Sequence, residues 1–319
     1  MSETSLEPPT TILEPEKLDN EPQFLNKLGI DHPTVANEIR GRIPEWKKKV
    51  DELSGIEDFG AKMLNAIEYV DKEETDRLIS SVADEIRKIR EKDPTKPIRF
   101  IAWSTTDGSG KWFYDQLVAS LQDISTDNIS LIAPYDVGYE ADLKAYEPTY
   151  FYLDDAGNSG QQIQQGIFAF RSVVGNLEHS VDQGEDENAM IENPIDVRIR
   201  LLRVTDEVTD FINRQKKFFI NESGHPLVVV DTENNPNANK RMPTVSDLIT
   251  NLGLKADDIQ NYGAFLYGHH GRFPTTLAIF RHKIQDNMPI ALVEGRLSSD
   301  KVPFLISQEN RKSIRKFYK

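Results

Sequence analysis

Two adjacent carboxylates, Asp154 and Asp155, close the apolar run Tyr150-Phe151-Tyr152-Leu153, and Ser159-Gly160 follows four residues after the second acid. An apolar run that stops at acids reads as a buried strand of an α/β sheet. In such sheets ligands sit at the carboxyl ends of the strands. The Ser-Gly turn leads into a helical pattern, whose free N–H groups and positive dipole end suit a phosphate. Carboxylates accept hydrogen bonds from sugar hydroxyls or bind hydrated Mg²⁺. The combination suits a sugar phosphate with a metal ion. The plainer alternative is a strand entering a polar turn, with Asp154 or Asp155 capping the next helix.

A second candidate lies upstream. The strand-like run Ile98 to Trp103 ends in Ser104-Thr105-Thr106-Asp107-Gly108-Ser109-Gly110-Lys111, and a helical stretch with Trp112, Phe113, Leu117 and Val118 follows. Strand, Gly/Ser/Thr loop and helix form an anion-cradling unit. It is no nucleoside-triphosphatase P-loop: the first required glycine is missing and Trp112 stands where Ser or Thr is needed. Lys111 offers a point charge to an anion; a Gly-rich turn with a solvated lysine explains the same residues. Asp231-Thr232-Glu233, after the run Leu227 to Val230, reads as a turn rather than a ligand site. His269-His270 lack a third ligand at zinc spacing, and His282 suits either a substrate contact or a core hydrogen bond.

Further strands are expected at Ile129 to Ala133 and Val197 to Val204, with a polar acidic loop from His179 to Asn193. Ahead of the sheet, the spacing predicts helices from about Phe24 to Lys92. Pro44 is read in a first turn, and Asp71 with Glu74 as a capping box. Residues 1–22 read as a disordered acidic tail, 23–95 as a helical cap, 96–306 as the α/β domain and 307–319 as a basic tail.

The order Asp154-Asp155, three variable residues, Ser159-Gly160, one variable residue and Gln162 resembles the 5-phosphoribosyl diphosphate (PRPP) motif of type I phosphoribosyltransferases. Gln162 replaces the usual Thr. A leader with Trp46, Phe59, Leu64 and Tyr69, the central motif, and a late Asp286-Asn287 followed by Pro289-Ile290 look like the phosphoribosyltransferase-like domains of prokaryotic conflict and defence operons. Some of those lie beside retron reverse transcriptases. Gln285 stands where that family usually has Pro. The resemblance runs from about Ile43 to Ala291. It implies a Rossmann-like, mainly parallel sheet flanked by helices, with a helical N-terminal extension. It also implies a Mg²⁺-dependent PRPP or nucleotide-like ligand, with ribosyl transfer to an acceptor. Asp154 and Asp155 would meet the ribose hydroxyls and the metal, and Gly157, Asn158, Ser159, Gly160, Gln161 and Gln162 the 5′-phosphate. Thr106, Asp107, Gly108, Ser109, Gly110 and Lys111 would meet the diphosphate. A non-catalytic nucleotide-sensing or partner-binding subunit of a retron-type complex is the alternative. A protein, reverse-transcriptase or nucleic-acid partner fits either.

Composition narrows the field. The net charge of −14 argues against a broad nucleic-acid-binding face, which needs Lys and Arg. The absence of cysteine excludes disulfides, thiolate metal sites and cysteine nucleophiles, and fits a cytoplasmic protein. No run of about 18 apolar residues offers a membrane span, and the N-terminus lacks the apolar segment of a secretory signal.

Overall fold

The computed structural model describes residues 21–102, 104–106, 108–134, 136, 148–157, 170, 194–216, 228–232, 235, 237, 240–266, 275–284, 288–289, 291–294 and 304–316. Residues 1–20 of the tail expected at 1–22, the loop at 179–193, His269-His270 and the late Asp286-Asn287 lie outside the described residues.

Three helices open the described chain: α1 (Gln23–Asp31), α2 (Pro33–Ser54) and α3 (Phe59–Asn65). Pro33 occupies the first turn of α2, where its missing N–H costs nothing. Pro44, expected at a helix start, lies inside this continuous helix instead. An interior proline costs about 3 kcal/mol. Burial of Ile39, Ile43, Trp46 and Val50 on the same helix offsets it, at about 1.5–3 kcal/mol for each fully buried apolar side chain. The Trp46 indole N–H donates to the Ala291 carbonyl at 2.6 Å, tying α2 to the far end of the chain. Gly55, at φ 71°, takes the left-handed conformation that stops the helix.

A short strand, β1 (Glu68–Val70), precedes α4 (Lys72–Lys92). Asp71 caps α4 by accepting the Glu74 N–H, as its spacing implies. The Glu74 carboxylate does not close the box; it pairs with Arg203 at 2.8 Å and with Lys240. Leu78, Ile79, Val82 and Ile86 form the apolar face of α4.

The main sheet then begins with β2 (Ile98–Ile101), followed by α5 (Ser109–Ser120), β3 (Ile129–Ile132), β4 (Thr149–Gly157), β5 (Ile195–Val204), α6 (Asp206–Lys216) and β6 (Val228–Asp231). Its five strands are all parallel, in the order β3-β2-β4-β5-β6. On β4, Tyr150 and Tyr152 enter one core with Ile199 and Val208, while Phe151 and Leu153 enter the other with Phe100 and Phe113. A strand buried on both faces must be apolar at every position, which is why this run is continuous.

After the sheet come α7 (Val245–Asn251), α8 (Gly263–Leu266), β7 (Ala278–Phe280), β8 (Lys283–Ile284) and α9 (Gln308–Lys316). Strand β7 pairs parallel with β1 and antiparallel with β8, giving a second, three-stranded sheet. A separate core joins Phe24, Trp46, Phe59 and Tyr69 to Val245, Phe265, Leu292 and Ile314. The helices from the N-terminal region and the C-terminal segment therefore share one interior. The expected boundary at residue 95 does not separate packing units, and α9 is a packed helix where the sequence reads as a tail.

Candidate functional site

Chain order fixes where to look. The chain leaves β2 for β3 on one side and returns to β4 on the other, so strand order reverses between β2 and β4. In open parallel sheets, ligands bind beyond the carboxyl ends of the strands at such a reversal. Ile101 at the end of β2 lies opposite Tyr152, so Asp154 and Asp155 project beyond it on β4. The strand continues two residues past the pair, to Gly157.

Helix α5 approaches this strand end from the β2 side. Gly108 precedes it at φ 90°, a conformation that side chains rarely adopt. A Cβ on Gly110 would lie 2.8 Å from the Ala102 Cβ, so only glycine lets α5 approach the sheet this closely. The result sets Ser109 beside the acidic pair. Its hydroxyl donates to Asp154 Oδ1 at 2.5 Å, and the Asp155 N–H donates to the same oxygen at 2.8 Å.

The other carboxylate meets the second sheet. Asp155 Oδ2 lies 2.8 Å from His282 Nε2 and 2.8 Å from Lys283 Nζ. The Lys283 ammonium also donates to Ser109 Oγ at 3.1 Å. A closed chain of contacts thus runs Asp154–Ser109–Lys283–Asp155. The His282 ring stacks on Trp112 of α5, with centroids 4.5 Å apart and planes 13° apart.

Electrostatics separate the two acids. Burial and the Asp155 charge push the Asp154 carboxyl up to about 7. Burial alone would raise Asp155 as well; Lys283 and His282 outweigh it and hold Asp155 well below the usual carboxylate range. Burial lowers the His282 imidazole. A neutral ring beside an ionised carboxylate donates its Nε2–H, which fixes the tautomer. Asp155 Oδ1 is buried and has no hydrogen-bond partner among the described residues. Such an oxygen is open to a ligand hydroxyl or a hydrated cation.

The remaining sequence candidates divide. Thr106 is engaged locally, its N–H and hydroxyl facing Ser104 Oγ at 3.3 and 3.1 Å. Lys111 bonds both oxygens of Asp115, one turn along α5, at 2.5 Å. It is not the cation at the acidic pair; Lys283 is. Gly157 ends β4, and Asp107, Asn158, Ser159, Gly160, Gln161 and Gln162 lie outside the described residues. No group of three His, Asp or Glu residues is arranged to hold a metal ion among the described residues. Mg²⁺ commonly binds through one or two carboxylates together with ligand phosphates and water. The open oxygen of Asp155 beside Asp154 fits that mode.

His282 and Lys283 as partners of the acidic pair are not readable from the sequence, since 127 residues separate His282 from Asp155. Their one local signal is a basic run set immediately after an apolar strand.

No family model, curated protein or solved structure matches the chain. The fold and site thus define an α/β protein with a buried acidic pair at a strand-order reversal. Among the described residues no helix is long and apolar enough to cross a membrane.

Proposed function

We propose that this site binds PRPP or a related ribosyl phosphate or nucleotide with Mg²⁺. In this reading the chain is a phosphoribosyltransferase-like effector or accessory protein of a prokaryotic antiviral defence complex, transferring the ribosyl group to an acceptor. One observation carries it: two carboxylates at the strand-order reversal, of which Asp154 accepts the hydroxyl of Ser109, the first residue of the helix that follows the first strand of the sheet. Asp154 and Asp155 are acceptors for ribose hydroxyls, and the first N–H groups of α5 are donors for a diphosphate. Mg²⁺, when bound, neutralises charge on the leaving diphosphate. Donors fixed in a buried crevice favour that charge without reorganising. No protein nucleophile is required.

A non-catalytic nucleotide sensor or partner-binding subunit of a retron-type complex is the second reading. It is favoured by the ion pair that already engages Asp155 with Lys283. Calorimetry with PRPP, with and without Mg²⁺, tests the shared claim: heat of binding is expected in Mg²⁺ and is lost in EDTA. Folded protein giving no heat at millimolar ligand overturns the transferase and the PRPP-sensing readings and leaves only the partner-binding subunit. Release of diphosphate on incubation with PRPP and candidate bases separates transferase from sensor.

A further inference from the structure

We infer that Lys283 is a ligand-contacting residue of the crevice, and that the second sheet supplies the site's phosphate-binding cation. The inference deepens the reading above and rests on it for the sugar part of the ligand, but not for the anion.

Three observations converge. Lys283 Nζ sits between Asp155 Oδ2 at 2.8 Å and Ser109 Oγ at 3.1 Å, so its charge lies at the first residue of α5. Helix α5 is twelve residues long, and its first N–H groups and dipole favour an anion at that point. A lysine ammonium on a flexible stem adds a mobile point charge to the same place. Next, the loop's own lysine is committed elsewhere: Lys111 pairs with Asp115, so its charge is directed along α5 rather than at the crevice. Finally, the carboxylate that holds Lys283 keeps its other oxygen, Asp155 Oδ1, buried and without a partner among the described residues. A buried acceptor in this state calls for a donor, and a ligand hydroxyl supplies one. An anion-binding half and a hydroxyl-accepting half therefore meet across one carboxylate. The ligand class that fits is a phosphate or diphosphate with a free hydroxyl close by, as in a sugar phosphate. His282 holds the arrangement by bonding Asp155 and stacking on Trp112, which makes it a positioning residue.

The test uses the full-length protein with inorganic diphosphate, ribose 5-phosphate and PRPP, each with and without Mg²⁺. Lys283 is partly exposed, with 23% of its side chain accessible, so an amine-acylating reagent reaches it. Its acylation is read by mass spectrometry on the wild-type protein. Diphosphate is expected to slow labelling of Lys283 while leaving exposed Lys48 unchanged, and Lys283→Gln is expected to weaken diphosphate binding about tenfold or more. If Lys283→Gln does not fold, the labelling result on the wild type decides. Unchanged Lys283 labelling, no diphosphate binding under either condition, or wild-type affinity in folded Lys283→Gln overturns the inference. Protection by diphosphate with no PRPP binding leaves Lys283 in the site and removes the ribosyl reading. PRPP binding with Lys283 unprotected does the reverse.

Discussion

Asp154 and Asp155 share a strand end and differ in what surrounds their oxygens. Asp154 faces a serine hydroxyl and a backbone N–H; Asp155 faces a lysine and a histidine. Their contributions to stability therefore run oppositely with pH. The Asp154 carboxyl is raised from an ordinary value near 3.8 to about 7 in the folded state. Its contribution is complete below about pH 4 and is lost as pH rises through 7. Asp154→Asn removes that loss. In EDTA the melting temperature of this variant, relative to wild type, is expected to rise between pH 4 and pH 8 by at least about 3 °C. A gap that stays constant with pH would show that Asp154 ionises normally. Asp155 is lowered, so its contribution is present above its unfolded pKa and lost as pH falls. Asp155→Asn leaves Lys283 without its counter-charge and is expected to cost about 3 kcal/mol at pH 7 in urea unfolding. The acidic pair is legible in sequence because an apolar run stops at two acids. What divides the pair is not, because Lys283 and His282 reach it only through the fold.

At the scale of elements, β5 shows where pattern reading stops. Val197 to Val204 alternates in part and reads as a strand, but the pattern does not say where its arginines go. Arg200 and Arg203 are buried, at 0% and 1% exposure. Arg200 donates to both oxygens of Glu85 on α4, at 2.8 and 2.9 Å, and to Asp231 on β6 at 2.7 Å. Arg203 pairs with Glu68 on β1 and Glu74 on α4. The acids that permit burial come from three other elements, so no local window carries the signal. Removing one partner of a buried pair strands the other charge. Arg200→Met is accordingly expected to cost about 3–5 kcal/mol in urea unfolding, with part recovered in Arg200→Met/Glu85→Gln. Strictly additive effects would show that the pair is not coupled. Asp231, read from sequence as a turn residue, is part of this network and not of the crevice. The parallel α/β class was legible because strands alternate with helical patterns. The second sheet was legible only in part: Thr276 to Phe280 reads as an apolar strand and holds β7, whereas β1 has three residues, too short for a periodic signal, and nothing local pairs the two.

Across the whole molecule, helices α1 to α3 and the segment after the main sheet complete one core. Helix α9 belongs to that core. Ile314 is fully buried, and the Asn310 amide donates to Glu38 of α2 at 2.6 Å. Deleting residues 307–319 is therefore expected to lower the melting temperature by several degrees, through loss of a buried apolar side chain and its packing. Lys312 and Arg315 are exposed on the outer side of α9. Lys312→Glu with Arg315→Glu is expected to hold the melting temperature within about 1 °C, since surface changes stay within about 0.5 kcal/mol. This pair of variants separates the fold from any electrostatic docking, which deletion alone would confuse. A deletion without thermal effect would show that α9 does not pack as described.

That shared core also sets an order of events during synthesis. Phe24, Trp46 and Tyr69 leave the ribosome well before Leu292 and Ile314, which share their core. At about 5–20 residues per second, the wait is on the order of tens of seconds. During that interval the five-stranded sheet can form while the leading helices keep apolar surface uncovered, and Asp155 stands without Lys283. Helices α1 to α3 are made before the sheet and completed after it, and the acidic pair gains its countercharge only once Lys283 has followed.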